Sequence, residues 1–183
     1  TEGDVHVSLQ SPRVNYKKFN ATDAVADLLL TSDEVALNKV FLRHANGSME
    51  MKGSMKEAGG NNAVTITTNM RKLDIPVLFE SFGNFGQDAI THESLEGLIT
   101  ADVNLSTTVT DQATILKEHS QGTIDFLVEN GELNNFEPLQ RISEKAFKKQ
   151  DFTHIKFADL KNRLVVKGTA FIGNKMEIRS TAI

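Results

Sequence analysis

Apolar and polar residues alternate with a period of two through most of the chain, the pattern of strands with one buried and one wet face. The longest such stretch is Leu98 to Thr110. Ile99, Ala101, Val103, Leu105, Thr107 and Val109 fall on one side, and Thr100, Asp102, Asn104, Ser106, Thr108 and Thr110 on the other. Met49, Met51, Gly53 and Met55 share a face in the same way, as do Val64, Ile66, Thr68 and Met70, and Ile124, Phe126 and Val128. Val5, Val7 and Leu9 alternate more weakly, and Pro12 confines that strand to an edge or ends it. Val14 to Phe19 reads as a second short strand, and 35 to 44 as an apolar-rich, irregular one. Further strands are predicted at 155–157, 164–172 and 176–183. Turn chemistry separates them at Asn46-Gly47, Gly59 to Asn62, Asn130-Gly131, Lys161 to Arg163 and Gly173-Asn174. Short strands and short turns in this rhythm predict an antiparallel meander.

Three short helices interrupt it. Ala24 to Leu30 follows the cap-type residues Thr22 and Asp23. Val77 to Phe82 follows Leu73-Asp74-Ile75-Pro76. Pro138 to Phe147 follows Asn135-Phe136-Glu137, with Leu139, Ile142 and Ala146 on one face. Each is entered from a strand and followed by more strands, so Gln121 to Phe147 reads as the clearest of three loose copies of a strand–turn–helix unit. The expected fold class is α+β, mainly β: one long, curved antiparallel sheet, groove-like or half-barrel-like, with about three short helices. Its apolar face must be covered. Either the sheet curls on itself, or a second sheet packs on it, or something outside the chain occupies the face. The helix from Pro138 is expected to cap one end of that face through Leu139, Ile142 and Ala146.

Composition narrows the chemistry. The 183 residues suit a single β-rich domain, 1–183. The chain starts at Thr1 and stops within an alternating run at Ile183, so it is expected to be an excised piece of a larger protein. A hydrophobic fraction of 39% suits a sheet with one polar face. Net charge is −4 with no basic block, which argues against nucleic acid as a partner. There is no Cys, which removes disulfides, thiolate metal sites and a Cys nucleophile. His6, His44, His92, His119 and His154 are scattered without metal-ligand spacing. Asp102, Ser106 and His119 contain the residue types of a triad, but nothing in their spacing supports one. Gly83-Asn84-Phe85-Gly86 lacks the ending of a phosphate loop. The sequons at Asn20, Asn46 and Asn104 read as structural. No Trp and a single Tyr, Tyr16, disfavour a polysaccharide binder. No enzyme activity, cofactor or metal is expected.

The remaining candidates are the apolar strand faces. Met49, Met51 and Met55 form an unbranched, adaptable stripe suited to flexible acyl chains. With Ile99, Val103, Leu105, Ile124, Phe126 and Val128 they make up a candidate lipid-facing set.

Val128-Glu129-Asn130-Gly131-Glu132-Leu133-Asn134-Asn135-Phe136-Glu137-Pro138-Leu139 resembles the AsmA-like C-terminal region of bacterial envelope proteins. So do Phe157-Ala158-Asp159-Leu160, Leu164 to Gly168 and Lys175 to Ala182, and, upstream, Leu73 to Phe79 and Gly97 to Leu105. The resemblance is close over 64–183 and weaker before it. It implies a relation to repeating β-groove lipid-transfer proteins, with a periplasmic body in a Gram-negative bacterium and an N-terminal inner-membrane anchor absent from this chain. It also implies a part in phospholipid transport or outer-membrane lipid homeostasis, with acyl chains as the partner. The family brings no catalytic residues. The alternative is a scaffold for outer-membrane protein assembly, with the same faces packed internally and no lipid bound.

Overall fold

A computed structural model describes residues 3–86, 90–135, 153–173 and 177–179. Its strands are β1 (Val5–Tyr16), β2 (Phe19–Leu30), β3 (Glu34–His44), β4 (Gly47–Glu57), β5 (Asn61–Asp74), β6 (Leu95–Thr110), β7 (Ile115–Asn134), β8 (His154–Lys167), β9 (Ala170–Gly173) and β10 (Glu177–Arg179). They form one antiparallel sheet in chain order from β1 to β8, with β9 and β10 both pairing β8. Among the described residues the two ends of this order do not pair with each other, so the sheet is open. Helix α1 (Ile75–Ser81) and a 3-10 turn at Gly83–Gly86 lie between β5 and β6.

The alternation predicted for β4, β5, β6 and the middle of β7 is present. Pairing register then turns separate stripes into rows. Met51 faces Thr68, Thr68 faces Val103, Val103 faces Ile124 and Ile124 faces Leu164. Paired residues point to the same side of a sheet, so all of these share one face.

Four local expectations are corrected. Ala24 to Leu30 is not a helix but the second half of β2. Ala24, Ala26 and Leu28 also fit a period of two, and β1 and β3 pair with this stretch on either side. The cap-type residues serve a bulge instead. Pro12 offers no N–H to the ladder, and opposite it Asp23 sits at φ 52° with its carboxylate 3.2 Å from Arg43. Pro12 is thus on an edge strand, and β1 runs through it to Tyr16.

Asn130-Gly131 is not a turn but a bulge inside the 20-residue β7. Asn130 takes φ 52°, and Gly131 leaves the space that the ring of Phe157 fills. Likewise Lys161 to Arg163 continues β8 straight through, and the chain turns at Gly168, φ 60°. Lastly, the polar stretch Asp111 to Ser120, which by itself reads as a loop or a short helix, becomes the start of β7 from Ile115 onward. Of the three predicted helices, the second is α1, the first is strand, and Pro138 to Phe147 lies outside the described residues together with Leu139, Ile142 and Ala146.

The polar face is tied by side chains across the strands. Asp102 and Asp125 stand directly opposite each other, a repulsive pairing. Arg163 grips Asp125 with two bonds, Nε to Oδ1 at 2.6 Å and a second to Oδ2 at 2.8 Å. Asp102 accepts from Asn69 at 2.7 Å and lies 2.9 Å from Arg71. The Arg163 bonds hold the Asp125 carboxyl below its ordinary range, and Asn69 first, then Arg71, do the same for Asp102. Both groups therefore favour the folded state above the unfolded carboxylate range, and that contribution is lost as pH falls through their lowered values. The expected result is a urea midpoint that declines below about pH 4. Asp125→Asn should flatten that decline, as urea titrations across the acid range will measure.

Candidate functional site: the apolar face

All nine strand residues singled out in the sequence lie on the apolar face, in three strands of the sheet. Met49, Met51 and Met55 come from β4, Ile99, Val103 and Leu105 from β6, and Ile124, Phe126 and Val128 from β7. Strand β5 lies between the first two groups and supplies Val64, Ile66 and Met70 to the same rows. Sequence reasoning missed the outer parts of the face. Leu28 and Leu30 of β2, Leu37 and Val40 of β3, and Leu160 and Leu164 of β8 extend it on either side. The signal for β2 was present as alternation, but cap chemistry outweighed it.

Cover over this face is uneven. At one end α1 lies across it. Leu78, buried, joins Leu42, Met49 and Leu73 in one cluster, and Ile75, buried, joins Leu95, Val128 and Phe157 in another. Leu73 is fully buried and Met49 is 5% exposed. Moving away along the strands, Met51, Leu105 and Ile124 are half-buried, while Val103 and Val166 are buried. At the far end Met55 is 37% exposed, Val5 55% and Ile115 57%. Among the described residues, cover comes from α1 and the stretch leading from it into β6.

The helix is firmly placed. Asp74 caps it by accepting from the Val77 N–H at 3.1 Å, and Pro76 fits its first turn. The Asp74 N–H donates to the Ala45 carbonyl at 2.7 Å. Lys18 reaches Glu80 at 3.1 Å, and the Ser81 hydroxyl donates to the Lys18 carbonyl at 3.4 Å. Phe82 packs on Phe19 with ring centroids 5.5 Å apart, next to the buried ring of His44. His44 donates through Nδ1 to the Asn20 carbonyl at 2.8 Å.

Polar chemistry lies elsewhere. Two depressions of ≈ 540 and ≈ 500 Å³ are lined largely by polar-face residues, among them Arg13 and Arg43 in the first and Thr67 and Asn104 in the second. Among the described residues no three His, Asp or Glu gather at a spacing that could hold a metal ion. Asp102 and Ser106 bond to Asn69 and to the Gln121 carbonyl, and no bond joins either to His119. No described helix is long and apolar enough to cross a membrane.

The family model described as the AsmA family matches residues 1–164. The chain belongs to the AsmA family. The match includes the first third, where the resemblance in the sequence was weak, and stops short of the quoted Lys175 to Ala182 motif. Neither a curated protein nor a solved structure matches the chain. The AsmA family is associated with bacterial envelope proteins. This AsmA-family chain presents a two-faced open sheet whose apolar side is unevenly covered.

Proposed function

We propose that this AsmA-family chain is a periplasmic segment that holds phospholipid acyl chains on its apolar sheet face and serves lipid transport or lipid homeostasis in the bacterial envelope. The supporting observation is the continuous apolar face across β1 to β8, exposed at one end and half-buried along most of its length. Monomeric soluble proteins rarely leave apolar patches beyond a few hundred Å² in water, and larger ones mark interaction sites. Each methylene moved onto such a surface gains about 0.8 kcal/mol, so an acyl chain is a fitting occupant. The role is carriage, with no reaction on the lipid and no cofactor. The expected location is the periplasm of a Gram-negative bacterium, with the full-length protein anchored in the inner membrane.

Lipid extraction and mass spectrometry of the protein purified from its native host test this reading. Phospholipid recovered in stoichiometric amount is the expected outcome. Protein that emerges folded and lipid-free would count against it. A second reading, a scaffold for outer-membrane protein assembly, draws on edge strand β1, where Val5 to Ser11 carries no Lys, Arg, Asp or Glu to discourage pairing with another strand. Crosslinks placed at Ser8 that capture outer-membrane proteins, with no lipid recovered, would favour it.

A further inference from the structure

We infer that the apolar face is a blind groove: acyl chains enter from the end bearing Met55, Val64 and Ile115 and stop, methyl end first, against α1. The inference rests on the lipid-holding reading and adds to it a direction and a stop. Three observations carry it. Along β4 and β7 the exposure of face residues falls in one direction, from Met55 and Ile115 through the half-buried Met51 and Ile124 to the buried Met49 and Val128. The element at the closed end crosses the face, since Leu78 packs with residues of β3, β4 and β5 while Ile75 packs with residues of β7 and β8.

That element is also tied at several points: to the β1–β2 turn through Lys18, to the β3–β4 turn through Ala45, and to the sheet by two fully or nearly fully buried side chains. Such a helix is a fixed wall, not a loose strap. Along β5, the distance from Val64 to Met70 is about 20 Å at the rise of an extended strand. A polar headgroup is best left at the open end, because the two clusters into which Leu78 and Ile75 of α1 pack are apolar, and an unpaired polar group buried among them is costly.

Phospholipids carrying a photoreactive group at either the methyl end or the carboxyl end of one acyl chain test this on the wild-type protein. The methyl-end probe is expected to label Met51, Ile124 and Phe126, and the carboxyl-end probe Met55, Val64 and Ile115, with no label on Leu42 or Leu73. Leu78→Ala, which shortens the wall, is expected to let the methyl-end probe advance to Met49 and Leu73. Wild-type label on Leu42 and Leu73, or the two probes exchanged in position, would overturn the blind groove while leaving lipid holding intact. No label from either probe would overturn both. The wild-type pattern decides the matter even if Leu78→Ala does not fold.

Discussion

Leu73→Ala is expected to cost about 2–5 kcal/mol, the usual range for truncating a fully buried leucine. Leu9→Ala, on the same apolar face, should stay within about 0.5 kcal/mol, the usual range for a surface change. The difference follows from the one-ended cover. Leu73 is fully buried at the end of β5, pairs with Ile99 in the sheet and packs with Leu78 of α1. Its loss leaves a cavity under a helix that is fixed on several sides and is poorly able to collapse into it. Leu9 sits on edge strand β1 and is 56% exposed, so truncation leaves no cavity. Urea unfolding monitored by circular dichroism will give both midpoints. A change in midpoint at constant slope is the signature of lost native packing. Equal midpoints for the two variants would mean that the closed end is not where the fold is held.

The strand faces were legible in the sequence because a period of two is local. Ile99 to Val109 and Val64 to Met70 need no partner to announce which residues share a side. Their register was not legible, since nothing near Val103 says that Thr68 and Ile124 will flank it. The misreadings share one cause: the same local chemistry serves two structures. Thr22-Asp23 can cap a helix or turn a bulge opposite Pro12. Asn130-Gly131 can close a hairpin or bend a strand, because both need a residue at positive φ. In each case a distant contact decided, Arg43 on Asp23 and the Phe157 ring over Gly131. Lys161 to Arg163 looked like a turn because it is polar throughout. Arg163 belongs instead to the polar face through Asp125, while Asn162 is a buried polar residue in the apolar rows, opposite Phe126. The role of α1 was the least legible. Its apolar residues were visible as one helical face, but what they cover depends on strands from β3 to β8.

Met55→Asp is expected to remove bound lipid while leaving the fold in place. Met55 is exposed at the open end of the face, between Val35 and Val64, so a carboxylate there keeps its water in the lipid-free protein and should change stability by no more than about 0.5 kcal/mol. With an acyl chain lying over it, the same carboxylate must either lose that water or push the chain away. Displacing about four methylenes from the face forfeits roughly 3 kcal/mol, a loss in affinity of about a hundredfold. Thr65→Asp is the matched control. Thr65 neighbours Val64 in β5 but points to the polar face, where its hydroxyl lies 3.2 Å from that of Ser54. It adds the same charge at nearly the same height on the sheet, and it should leave lipid recovery unchanged. Lipid extraction from both variants, alongside their urea midpoints, separates the possibilities. Loss in Met55→Asp alone assigns the lipid to the apolar face. Equal loss in both would point to charge, not position. Undiminished recovery in both would place the lipid away from the open end.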